Sequence, residues 1–203
     1  MRAIIVGGGI GGLTTALRLH AAGMDVLICE SVRELRALGV GINLLPHAVR
    51  ELADLGLLDA LTATGVRTRE LLYFNKYGQR IWQEPRGLEA GYDWPQISIH
   101  RGELQLLLLR AARARLGADN VRTGHHLDAF AQGAGGVTAR FVERGGARVV
   151  AEERADLLIG ADGIHSAVRR ALYPDEGPPR WNGAILWRGT TRGAPFLSGR
   201  SMF

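Results

Sequence analysis

Residues 4–30, IIVGGGIGGLTTALRLHAAGMDVLICE, read as strand, glycine-rich turn, helix and second strand, and no other stretch restricts the fold so tightly. Ile4, Ile5 and Val6 form an apolar strand that runs into Gly7-x-Gly9-x-x-Gly12. A helix with Leu13, Ala16, Leu17 and Leu19 on its apolar side follows and stops at Gly23. Val26, Leu27 and Ile28 form the second strand, which ends at Glu30. In such a unit Gly7 permits the tight turn, Gly9 lets the backbone approach a pyrophosphate, and Gly12 lets the helix lie close to the strand. The helix start, with Ile10 and Gly11, offers unpaired N–H groups and a positive dipole end to that anion. Glu30 is placed to accept hydrogen bonds from adenosine ribose hydroxyls. Its charge would repel a 2′-phosphate, so the expected ligand is FAD or NAD, not NADP.

The 203 residues, 46% of them hydrophobic, are enough to bury a substantial core. The net charge of +5 raises the question of nucleic acid, but Lys76 is the only lysine and the arginines form no basic run. Nucleic-acid binding is therefore not expected, although the positive balance favours anionic cofactors and acidic substrates. A single cysteine, Cys29, excludes an intrachain disulfide and fits a reducing cytoplasm. No segment is long and apolar enough to span a membrane, and no metal-ligand cluster stands out.

Residues 33–38 form a polar link, and 39–44, GVGINL, an apolar strand with Asn43 its one polar side chain. Pro46 opens a helix through His47, Val49, Leu52 and Leu55 that stops at Gly56. Residues 71–74 and 80–83, around Asn75-Lys76-Tyr77-Gly78, predict a hairpin. A strand at 97–99 leads into an amphipathic helix over 101–116. Alternating runs at 121–130, 137–143 and 147–152, with glycine turns between, predict an antiparallel meander. The buried strand DLLIG (156–160) delivers Ala161-Asp162-Gly163 to a helix over 165–172, and 184–191 predict one further strand. The fold class is α/β, a Rossmann-like domain with inserted antiparallel β elements and the beginning of a β-rich second domain. A last strand so near the terminus, with no helix after it, reads as the first half of something larger.

Several segments together resemble the group A flavoprotein monooxygenases, the para-hydroxybenzoate and salicylate hydroxylase family, and among them phenazine-1-carboxylate hydroxylase-like members. They are the fingerprint ending at Glu30, LGVGINLLPHAV (38–49), ISIHRGELQLLL (97–108), LLIGADGIHSAVRR (157–170) and ILWRG (185–189). The resemblance implies an FAD-binding domain over residues 1–70 and 98–179, and an incomplete substrate-binding domain over 71–97 and 180–203. It implies that Glu30 and Ser31 hold the AMP ribose, Arg36 and Arg101 lie near the pyrophosphate, and Leu127 offers its backbone to the adenine. Val40, Gly41 and Asn43 would run along the flavin, Asp162-Gly163 would lie beside the cofactor, and Trp187 and Arg188 would enter the substrate layer. FAD is expected to be non-covalent, with NADPH or NADH as co-substrate and a flavin C4a-hydroperoxide, formed with O₂, as the species that hydroxylates an aromatic or heteroaromatic, acidic substrate. The family's Gly-Asp motif, which binds the ribityl side, is absent from this sequence.

Other roles stand beside these. Arg101 also fits a solvated helix start, and Asp162 a helix cap. His47 and His165 fit surface or packing positions, and the adjacent His125 and His126 point to opposite faces of a strand, a poor metal pair. No catalytic residue is evident beyond Asn43 as a candidate. Two other functions remain open: a non-catalytic FAD or nucleotide-binding module, and an NAD-dependent oxidoreductase.

Overall fold

The computed structural model describes residues 1–191 and 193–203; of the 180–203 segment, residue 192 lies outside the described residues. In chain order the elements begin with β1 (Arg2–Val6), α1 (Ile10–Ala21), β2 (Asp25–Cys29), β3 (Gly41–Leu44), α2 (Pro46–Asp54) and α3 (Leu58–Thr64). Then come β4 (Val66–Thr68), β5 (Glu70–Phe74), β6 (Arg80–Pro85), β7 (Gln96–His100), α4 (Arg101–Leu116) and β8 (Val121–Arg122). The last are β9 (His126–Gly133), β10 (Gly136–Val142), β11 (Val149–Ala155), β12 (Leu157–Gly160), α5 (Ala167–Leu172) and β13 (Ser201–Met202). They pack as two units, Met1–Arg36 with Gln105–Ile185, and Ala37–Leu104 with Leu186–Phe203. Residues 37–70 and 98–104 thus pack with the 71–97 hairpin, whereas the sequence reading groups them by function with the nucleotide domain.

In the first unit a four-stranded parallel sheet runs in the order β12-β1-β2-β8. The chain builds outward from β1 through β2 to β8 and later returns to β12 on the other side. The topological switch therefore lies at the carboxyl end of β1, where open α/β sheets bind ligands. Helix α1 packs on β1 and β2 through Leu13, Ala16 and Leu17, one helical face at i, i+3 and i+4. On another part of the unit Ile4, Val6, Leu27 and Cys29 cluster with Leu127, Val137, Ala139 and Phe141 of the antiparallel β11-β10-β9 meander, and with Val168 of α5. Each fully buried Leu, Ile or Phe here contributes about 1.5–3 kcal/mol.

The second unit holds two three-stranded sheets, β3-β7-β4 and β13-β5-β6. Pro46 stands in the first turn of α2, where its missing N–H leaves no bond unmade. Helix α4 buries Leu104, Leu107, Leu108, Ala112 and Leu116, the expected amphipathic spacing. The expected hairpin forms as β5 and β6, and β9-β10-β11 is the expected meander. Two expectations are corrected. Residues 184–191 form no strand: Ile185, Leu186 and Trp187 are 70%, 77% and 90% exposed, and among the described residues no strand pairs with the segment. The two-residue β13 pairs with β5 instead. The run expected over 121–130 is broken, because Val121 and Arg122 pair in parallel with Ile28 and Cys29 before β9 starts.

Candidate functional site

Three loops converge at the carboxyl ends of β1, β2 and β12. Gly7 N–H donates to the Cys29 carbonyl and Ala161 N–H to that of Val6, both at 2.8 Å. Gly7 has φ +110°, and a Cβ there would run into the Ala161 carbonyl. A Cβ on Gly12 would collide with the Gly7 carbonyl oxygen. These two glycines are fixed by the close approach of backbone to backbone. Gly9 and Gly11 are different: among the described residues no atom lies within 4 Å of where their Cβ would stand. The first turn of α1 has no side-chain cap and no acidic residue, while Arg18 and His20 lie in its last turn. An uncapped helix N-terminus behind two open glycines is an anion cradle.

Glu30 stands at the lip of this cradle. Its Oε2 accepts the Gly8 N–H at 2.7 Å, and its Oε1 accepts the Val32 N–H at 2.8 Å and the Ser31 hydroxyl at 3.1 Å. A carboxylate offers about four acceptor positions, so three bonds orient it and leave capacity for a ribose hydroxyl. The sequence reading singled out Glu30 and Ser31 but missed Gly8 and Val32, since backbone donors leave no trace in residue type. It also missed Gln105, whose Nε2 donates to the Gly8 carbonyl at 2.9 Å from helix α4. The signal was there: Gln105 is the one amide in the run LQLLLLR. The open Gly9 and Gly11 positions and the oriented Glu30 carboxylate offer the space and the acceptor that a dinucleotide such as FAD requires.

The remaining positions are placed as follows. Arg36 is exposed and paired with Glu34, its Nε and Nη2 lying 2.9 and 2.6 Å from Oε2. Leu127 is buried on β9, an edge strand of the meander. Asp162 reinforces the start of α5, whose N-cap is Ser166: its Oδ1 accepts the Ser166 hydroxyl at 2.5 Å and its Oδ2 the Ala167 N–H at 2.6 Å. Gly163 follows with φ +78°. His125 donates Nδ1–H to the Thr123 carbonyl at 2.8 Å, a local role. In the second unit, Arg101 begins α4 with its N–H on the Val40 carbonyl at 2.8 Å, and its side chain runs beside Gly39. Arg188 Nη2 donates to the Gly41 carbonyl at 2.7 Å, so two of the expected residues meet there. Trp187 is almost fully exposed. Below the cradle, Glu153 joins Arg2 (3.0 Å) and Arg122 (2.5 Å). Burial alone would raise the Glu153 carboxyl, but the hydrogen bonds and charges of Arg122 and Arg2 outweigh it and hold it below the usual carboxylate range. Burial pushes the Cys29 thiol up to about 12.

Parallel sheet, glycine cradle and the oriented Glu30 carboxylate together define a nucleotide-binding flavoprotein domain. Residues 1–180 match the FAD-binding domain family, and the chain belongs to that family. It is 51% identical over 98% of its length to phenazine 1,6-dicarboxylic acid hydroxylase PhzS of Lysobacter antibioticus, covering 49% of that protein. It is 38% identical over 93% of its length to 3-amino-4-hydroxybenzoate 2-monooxygenase of Streptomyces cremeus, covering 46%. Among solved structures, Klebsiella pneumoniae HpxO complexed with FAD and uric acid superposes with a TM-score of 0.70 at 31% identity, over 84% of this chain and 41% of that one. The chain thus spans about half the length of the curated relatives it matches. The resemblance to aromatic hydroxylases, the Rossmann-like fold and FAD as the cofactor all agree with these findings. Among the described residues no helix is long and apolar enough to cross a membrane.

Proposed function

We propose that this chain supplies the FAD-gripping part of a monooxygenase that hydroxylates an acidic aromatic or heteroaromatic ring, with NADPH or NADH as reductant and O₂ as oxidant. The observation that carries the reading is the Glu30 carboxylate, oriented by Gly8, Ser31 and Val32 at the mouth of an open glycine cradle. Gly7, Gly9, Ile10, Gly11 and Gly12 would form the pyrophosphate seat, and Glu30 with Ser31 the ribose clamp. Arg36 and Arg101 would supply guanidinium groups to the phosphates, and Leu127 its backbone to the adenine. Val40, Gly41 and Asn43 would border the ring system, with Asp162 and Gly163 forming a fixed wall and Trp187 and Arg188 belonging to the substrate side. FAD, when bound, supplies the oxygen chemistry; the chain binds it, orients it and limits access of water. Two relatives bear the names of enzymes acting on aromatic carboxylic acids, and a net charge of +5 suits such substrates.

The test is a fluorescence titration of the 203-residue chain with FAD. It is followed by incubation of the loaded chain with NADPH or NADH and phenazine-1,6-dicarboxylate, reading the product mass for one added oxygen. Tight FAD binding with NAD(P)H oxidation and that product is the expected result. FAD binding without oxidation would favour a nucleotide-binding module, and retention of NAD with no flavin an NAD-dependent oxidoreductase.

A further inference from the structure

In the sheet β3-β7-β4, strands β3 and β7 turn apolar side chains to one face and polar ones to the other, and the polar face is partly buried. Strand alternation puts Leu44, Ile97 and Ile99 on the first, all at or below 7% exposure. The other face carries Asn43 on β3, Gln96, Ser98 and His100 on β7, and Thr68 on β4. Thr68 and Gln96 are only 2% exposed. Burying hydroxyls and amides costs free energy unless each finds a partner, and apolar residues would fill the same space more cheaply.

Gln96 directs its Nε2 to Met202 Sδ at 3.1 Å. Thr68, Ser98 and Asn43 are linked in series. Ser98 donates its hydroxyl to Asn43 Oδ1 at 2.7 Å, and Thr68 Oγ1 lies 2.6 Å from Ser98 Oγ. A serine has one hydroxyl proton, so with that proton given to Asn43 the Thr68 hydroxyl must be the donor to Ser98. The protons therefore run one way, from Thr68 through Ser98 to Asn43. With its oxygen engaged, the exposed Asn43 carboxamide turns its NH₂ away from the hydroxyl pair. On the same face His100 donates Nε2–H to the Gly39 carbonyl at 3.0 Å, and its buried Nδ1 has no partner among the described residues.

We infer that Thr68 and Ser98 are positioning residues that lock the Asn43 carboxamide as a hydrogen-bond donor to a carbonyl oxygen or ring nitrogen of a planar heteroaromatic ligand. The ligand's identity rests on the proposed function, with the FAD ring system and the aromatic substrate as its two sources; the lock itself rests on the hydrogen bonds alone. A half-buried hydroxyl pair holding one exposed amide is a means of fixing which way that amide faces before a ligand arrives.

The lock is read first in the ¹⁵N-labelled free chain, where the Asn43 side-chain amide signal is identified by its loss in Asn43→Asp. It is expected to shift in Ser98→Ala and Thr68→Val and to return in Ser98→Thr and Thr68→Ser. An unmoved signal in folded variants overturns the lock. The ligand is then read by titration. If Asn43 meets the flavin, Ser98→Ala weakens FAD binding about 3- to 10-fold and moves its visible bands, with no further loss when added to Asn43→Ala. If it meets the substrate, FAD binding holds and the affinity of the FAD-loaded chain for phenazine-1-carboxylate shows that pattern instead. If neither titration moves, Asn43 is not a ligand-facing donor. A parent chain that takes up no flavin overturns both the proposed function and the ligand assignment, and the amide signal alone then decides the lock.

Discussion

Gly9 and Gly12 stand three residues apart in one motif, yet a methyl group would meet open space at the first and the Gly7 carbonyl at the second. Gly12→Ala is therefore expected to destabilise the fold by at least about 1–3 kcal/mol, through forced separation of α1 from β1. Gly9→Ala should cost under about 1 kcal/mol of stability and show itself instead as weaker FAD binding. Thermal melts paired with FAD titrations check both. Glu30→Ala should weaken FAD by about 1–3 kcal/mol, and the melt should fall as well, since the buried Gly8 N–H loses its acceptor. Glu153 gives a prediction in pH. Its folded carboxyl lies below the ordinary value of 4.5, so its contribution is present above that pH and lost as pH falls through the folded value. The gap in melting temperature between parent and Glu153→Gln should be widest near neutrality and close on acidification below about 4.5. The residue types at the glycine turn and at Glu30 were legible in the sequence because each meets a steric or charge requirement. The pairing of Arg36 with Glu34 was not, because side-chain reach decides it and motif position does not.

Elements with a strong period of their own were also legible. Helix α4 spans Arg101–Leu116 as its leucine spacing predicts, and the glycine turns around β10 place the meander. What failed depended on partners distant in the chain. The segment 184–191 reads as a strand but pairs with no strand among the described residues, and β8 is a strand only because β2 lies beside it. Helix α3 went unseen because its seven residues carry no side-chain cap and too little periodicity. Helix α5 tests the capping reading of Asp162, whose carboxylate accepts from Ser166, Ala167 and Val168. Asp162→Ala should cost about 0.5–2 kcal/mol and raise amide exchange in residues 167–170, with Asp162→Asn milder. Unchanged exchange would show that the Ser166 cap alone holds α5.

On the scale of the molecule, the single Cys29 reports on global opening. It is 1% exposed, and its thiol, pushed up to about 12, is neutral at ordinary pH. A thiol reagent should label the native chain negligibly and add one mass increment once denaturant unfolds the first unit. Labelling at the native rate of a surface thiol would contradict the parallel sheet itself. That sheet has one more consequence. β1 finds β2 within the first thirty residues, but its other flank waits for Leu157–Gly160. On the ribosome β1 therefore emerges with one edge bare, and stays so while residues 30–156 are being made. The nascent chain must keep that edge from neighbours until the last strand of the sheet arrives, which makes co-translational shelter part of what this topology requires.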